Sequence, residues 1–216
     1  LELINTSNHY TAQPLTAEDI AGLDRSKMVA FYRDRFSNAA DFTLFMVGAF
    51  KLEEAIGLIG QYVGSLPSTG KRPSQFKDVG IQFPLSIERV KVEKGREPRS
   101  NTVISFFADP SPDPAEQEIL TTATSVLETA LRDILREDLG QTYRVSVGLS
   151  QSLPQRGDGH IQVTFGAAPE NIQAMTDRVL QEVRRLQQDG PSADLTARAK
   201  ESARRDYETA LKQNAY

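Results

Sequence analysis

The chain has 216 residues, 39% of them hydrophobic and 25% charged, enough for one large or two small domains around an ordinary core. A net charge of −4 offers no electrostatic footprint for nucleic acid, and no apolar run is long enough to span a bilayer. Cysteine is absent and only His9 and His160 are present, which excludes disulfides, thiolate metal sites, thiol nucleophiles and the His-x-x-Glu-His or His-Glu-x-x-His zinc spacings.

Residues 1–24 carry Asn5, Ser7, Asn8, Pro14 and Thr16 with little periodicity, and read as a connector from a preceding domain. Within them TAEDIAGL is a short helix capped by Thr16. His9 stands in this polar stretch beside Tyr10 and reads as a surface residue, because a metal site needs three or four ligands. Ser26 to Phe36 is an amphipathic helix whose buried face holds Met28, Val29, Phe31, Tyr32 and Phe36. Asp41 to Gly48 (DFTLFMVG) has the continuous apolar pattern of a strand covered on both faces. Leu52 to Leu66 is the next helix, with Ala55, Ile56, Ile59, Val63 and Leu66 on one side. Pro67 to Asp78 is a turn-rich basic loop, too sparse in cations to make a binding field. Val79 to Phe83, Ile87 to Glu93 and Thr102 to Ala108 read as strands, the last the most apolar and therefore central.

From Asp113 to Leu139 apolar residues recur at Ile119/Leu120, Ala123, Val126/Leu127, Ala130/Leu131, Ile134/Leu135 and Leu139. That spacing is one helix face sustained for about seven turns at 3.6 residues each. Leu127 and Leu131 should face the sheet from the main core, with Glu128 on the polar side. Gly140 stops the helix, and Thr142 to Ser152 and His160 to Ala167 follow as two strands joined by a hairpin with Asp158-Gly159 in its loop. His160 has no partner histidine or clustered carboxylate in sequence, so no metal is assigned to it. Pro169 to Gln188 is a helix stopped at Gly190, and Pro191 to about Asn214 a charged outer helix with a narrow apolar stripe. Strands cluster instead of alternating strictly with helices. The expected fold is therefore α+β, one mixed, mostly antiparallel sheet with helices packed on one face, and residues 25–216 form a single domain.

The turn after the long helix reads LREDLGQTY, with Arg136 and Tyr143 seven apart across it. Two readings fit. A guanidinium and a phenol brought into one cleft are donors suited to a peptide carbonyl or a developing oxyanion. Equally, Arg136 can complement the helix C-terminal dipole while Tyr143 packs at a sheet end.

Leu135, Arg136, Glu137, Gly140 and Tyr143 form a Leu-Arg-Glu-x-x-Gly-x-x-Tyr run that resembles the helix-turn-strand of the insulinase/pitrilysin family of zinc metallopeptidases, which includes the mitochondrial processing peptidases. The order FYRDRF, DFTLFMVG and a following helix is similar to the opening of the C-terminal domain in each half of such enzymes, so the resemblance runs from about residue 14 to the end. It implies the α+β architecture above, in tandem copies around an enclosed chamber. It also implies that Arg136 and Tyr143 belong to the half that lacks the metal and reach across to substrate bound at the zinc half.

On that resemblance the chain is a metal-free, C-terminal-type domain of a bacterial zinc endopeptidase, inactive alone. Zinc and the general-base glutamate would come from another domain of the same polypeptide or from a partner subunit, zinc polarising the carbonyl and activating water there. The second reading is a non-catalytic structural or assembly domain of the same fold, as in the core subunits of respiratory complexes; the intact Arg and Tyr favour the first. Peptide is the expected substrate, with no nucleic acid and no membrane insertion. The chain reads as a piece of a longer protein, and its expected compartment is the periplasm, with the cytoplasm the alternative.

Overall fold

The computed structural model describes residues 1–70, 77–109, 111–139, 144–151 and 159–213, the side chains of 136–139 excepted. The chain divides into two compact units, one of residues 1–13 and 78–208 and one of residues 14–77 and 209–216. The elements in order are α1 (Glu2–Asn5), α2 (Ala17–Ala21), α3 (Arg25–Phe36), α4 (Leu52–Tyr62), β1 (Ser100–Phe107), α5 (Pro114–Leu139), β2 (Val145–Ser150), β3 (His160–Ala167), α6 (Ile172–Asp189) and α7 (Ala193–Ala210). The fold is α+β, as the clustered strand signals predict.

The larger unit is built on a three-stranded antiparallel sheet in the order β1-β3-β2. Side chains alternate faces along each strand. Val145 and Val147 of β2 and Val163, Phe165 and Ala167 of β3 are buried on one face, joined by half-buried Ile104, Phe106 and Ile161. Leu131 and Leu135 of α5 and Met175 and Val179 of α6 close that core, all four at most 1% exposed. Helices α5 and α6 therefore cover this face of the sheet. β3 takes the centre in place of β1, because it alone pairs on both sides.

Helix α5 is buried along two stripes. Leu127, Leu131 and Leu135 meet the sheet, while Val126 and Ala130 pack against Leu195 of α7 with Leu186 and Ala199 alongside. Its first turns depart from the predicted face. Ile119 and Ala123 are exposed, and Thr124 is buried instead, its hydroxyl donating to the Leu120 carbonyl at 2.7 Å. A hydroxyl that satisfies itself within the helix can take a buried position at little cost. Glu128 also departs from a free polar role: its Oε2 accepts the Val147 backbone N–H at 3.1 Å while Oε1 pairs with Arg132. β2 is an outer strand of this sheet, so that donor points away from β3 and needs a partner.

The terminal helices follow their sequence signals. Pro169 opens a 3₁₀ turn before α6, and Gly190 ends it at φ 71°, a conformation that penalises a Cβ. Glu182 is buried in α6 and its charge is met by both Nε and Nη2 of Arg185, at 2.9 and 2.6 Å. α7 buries Leu195 but exposes Tyr207, and its outer face carries Glu201, Arg204, Arg205 and Glu208 in one ion-pair network.

In the smaller unit α2 starts at a reciprocal capping box between Thr16 and Asp19, and α3 starts at Asp24, which accepts from the Ser26 and Lys27 amides. The predicted burial of α3 is not found: Met28, Phe31, Tyr32 and Phe36 are all more than half exposed. Tyr32 stacks on Phe36 and Phe36 on Phe42, so these rings cover one another. Residues 42–47 form no strand, and Phe45 and Val47 stand in solvent. A strand needs a ladder partner, and no other strand lies among the described residues of this unit. In the larger unit, 79–83 and 87–93 are likewise unpaired, with Ile87, Val90 and Val92 exposed. His9 holds the first of these segments, Nε2 lying 2.9 Å from the Val79 carbonyl and Nδ1 2.8 Å from the Thr11 hydroxyl.

Truncating Leu131 to alanine is expected to cost about 2–5 kcal/mol through lost burial and a cavity. Glu128→Ala should cost about 1–3 kcal/mol by stranding the Val147 amide, and Glu128→Gln less, since its amide oxygen can still accept. Urea melts of the three variants check that order. A second expectation concerns pH. Hydrogen bonds from Arg204, then Arg205, hold the Glu201 carboxyl down to about 2 from its usual 4.5. A depressed carboxylate stabilises the fold above its unfolded pKa and ceases to do so as pH falls through the folded one. The Tm difference between wild type and Glu201→Gln should thus be full above pH 4.5, shrink below it and vanish near pH 2.

Candidate functional site

The candidate site is the junction where α5 hands the chain to β2. On the helix side the last described side chain is Leu135, 1% exposed against the sheet. On the strand side Val145 and Val147 return into the same core, 5% and 9% exposed. The Glu128 to Val147 bond adds a polar tie between the two arms. Leu131 and Leu135, one turn apart, place the helix face; alternate burial of Val145 and Val147 places the strand. Rotating either arm would move a large apolar side chain into water.

Arg136 lies in the last turn of α5 by its backbone. Its side chain, and Tyr143 altogether, lie outside the described residues. In sequence Arg136 follows Leu135 directly, and Tyr143 precedes Val145 by two residues. Periodicity marked the apolar members of this frame. It missed Glu128, whose partner lies 19 residues away on another element.

The donor set does not fit a zinc ion. His9 commits one ring nitrogen to Thr11 and the other to the Val79 carbonyl, and no group of three or more His, Asp or Glu able to hold a metal occurs among the described residues. In the smaller unit an open apolar groove of about 760 Å³, lined by Met46, Phe50, Ala55, Leu58 and Ile59 with Lys51 and Glu54 at its edge, offers no acid–base pair beyond that one exposed ion pair.

The face of the sheet away from the helices is the other surface of note. Its outward positions on β1, β2 and β3 include Ser105, Phe107, Ser146, Ser150, His160, Gln162 and Thr164, and no Lys, Arg, Asp or Glu occurs in any of the three strands. No helix among the described residues is long and apolar enough to cross a membrane.

The chain is 27% identical over 226 residues to a "Zinc protease PQQL-like" protein of Arabidopsis thaliana, covering 99% of this chain and 24% of that one. The crystal structure of the periplasmic protease PqqL from Escherichia coli superposes with a TM-score of 0.77 at 22% identity, over 97% of this chain and 23% of that one. That likeness carries the fold, and the chain spans about a quarter of the length of either relative. Residues 22–203 match the family model described as the Peptidase M16 inactive domain, a span that includes FYRDRF, DFTLFMVG and the Arg136 to Tyr143 turn. The chain belongs to the M16 peptidase family, as its inactive domain.

Proposed function

We propose that this domain positions peptide substrate for hydrolysis at a zinc site carried by another domain of a bacterial M16 endopeptidase, with Arg136 and Tyr143 as the positioning pair. The observation that carries the reading is the intact Arg-Glu-x-x-Gly-x-x-Tyr run at a junction whose arms are anchored by buried Leu135 and Val145. A fixed guanidinium and a fixed phenol donate to a carbonyl oxygen and donate more strongly as it becomes an oxyanion, the differential that lowers a barrier. The uncharged helix-free face of the sheet serves as chamber wall. Residues 1–24 act as connector and 25–216 as the domain proper, a division supported by a family match that begins at residue 22. The zinc-bearing domain lies in the same polypeptide or in a partner subunit, and the periplasmic setting of the E. coli relative favours that compartment over the cytoplasm.

The second reading, a non-catalytic assembly domain, differs in what Arg136 and Tyr143 do. In the positioning role Arg136→Ala and Tyr143→Phe should each lower kcat/KM of the complete peptidase by about 10²–10³, the scale for losing one preorganised oxyanion donor. Stability should change by less than about 1 kcal/mol, and the double variant should lose less than the sum. Tyr143→Phe removes only a hydroxyl and is the cleaner probe. Wild-type turnover in both folded single variants would leave the assembly reading. Elemental analysis of the purified chain should find no stoichiometric zinc, because neither its histidines nor its absent cysteines supply a site.

A further inference from the structure

We infer that Phe83, Phe107 and His160 form a subsite for an apolar or aromatic side chain of an extended peptide lying across the helix-free face of the sheet. The inference rests on the positioning role proposed above and extends it to substrate selection. The sheet register sets Phe107, His160 and Ser150 side by side in one cross-strand row. Phe106 and Ile161 point into the core, so by alternation this row points the other way. Phe83, from the segment leading toward β1, lays its ring nearly parallel on Phe107, with centroids 5.6 Å apart and planes at 9°. His160 flanks Phe107 at 6.0 Å, tilted by 54°. All three are half-buried, so the rings support one another and remain partly accessible.

The occupant follows from charge. A sheet face turned to water ordinarily carries charged side chains, yet these strands have none in a chain that is 25% charged. Nucleic acid or an ionised cofactor would require cations, and none of the three strands carries one. An extended peptide is neutral along its backbone and projects alternate side chains to one side. Ring edges with adjacent hydroxyl and amide groups (Ser105, Gln162) match that chemistry. The row lies at the end of β2 away from Val145, five residues or roughly 17 Å along the strand. Contact there is remote from a carbonyl held at the α5–β2 turn, so it should act mainly on KM.

The test uses the complete peptidase and a long peptide with phenylalanine distal to the cleaved bond, against its twin with aspartate there. Phe107→Ala should raise KM for the phenylalanine peptide about tenfold, the scale of one apolar side-chain contact, leaving kcat and the twin's KM in place. Phe83→Ala, outside the sheet, should do the same and covers the case in which Phe107→Ala does not fold. Tyr143→Phe, run in parallel, reports on the positioning role through kcat. If it impairs turnover while the ring variants leave both KM values alone, the subsite is wrong and the positioning role stands. If it has no effect, the positioning role fails. Polarisation titration of the labelled phenylalanine peptide against the 216-residue chain then decides the subsite: about tenfold weaker binding by Phe83→Ala supports it, and equal binding refutes it. Ring variants that lower Tm and raise KM for both peptides alike would make the row a packing surface, which also refutes it.

Discussion

The contact between α5 and the sheet governs the larger unit. Leu131 and Leu135 enter a core formed by Val145, Val147, Val163 and Phe165, and the opposite flank of the same helix holds α7 through Val126, Ala130 and Leu195. One helix thus joins two apolar clusters. Remove its fit and both lose a wall. Such a helix tolerates little rotation, since turning one stripe out of register exposes the other. That is why the polar tie from Glu128 to Val147 can form: the rigid face brings a carboxylate repeatedly to the same outer-strand amide.

The two units differ in how they satisfy their apolar residues. The larger buries Phe165, Leu131, Leu135, Met175, Val163 and Val179 almost completely. The smaller buries only Ala55 among its described apolar side chains, and its aromatic rings stack on neighbours near in sequence, Tyr32 with Phe36 and Phe36 with Phe42. Caps shape α2 and α3, and helix propensity α4, without a deep core beneath them. Local signals therefore set secondary structure there, while tertiary burial sets it around α5.

That difference decides what was legible in the sequence. Helix α2 was readable from its Thr16 cap, and α5 and α6 from a sustained apolar stripe, because these determinants lie within a few residues of each other. The strands β1, β2 and β3 were readable from their apolar and β-branched content. Pairing was not. DFTLFMVG has a stronger strand pattern than β2, yet it finds no ladder among the described residues, and TVISFFA lies at an edge although it looked central. Apolar content reports how much a segment gains from burial and says nothing of its neighbour. The same limit hid Glu128, which on helical spacing alone belongs to solvent, and hid the Phe83, Phe107 and His160 cluster, whose members are separated in sequence and meet through strand register and a ring stack.

At the candidate site the division between folding and function falls at single residues. Leu135 is fully buried and Arg136 is the next residue; Val145 is buried and Tyr143 stands two before it. The polar pair of the run is thus flanked by two anchors, Leu135 at its start and Val145 just beyond its end. On the positioning role, replacing its polar members should spare the fold, whereas loosening either anchor should impair turnover as well as stability. Misplacement by about 1 Å can cost as much as losing a donor when catalysis depends on orientation. On the positioning role proposed above, a domain with no metal-holding cluster among its described residues would serve a hydrolysis carried out elsewhere, and the anchors on either side of its polar pair would be leucine and valine.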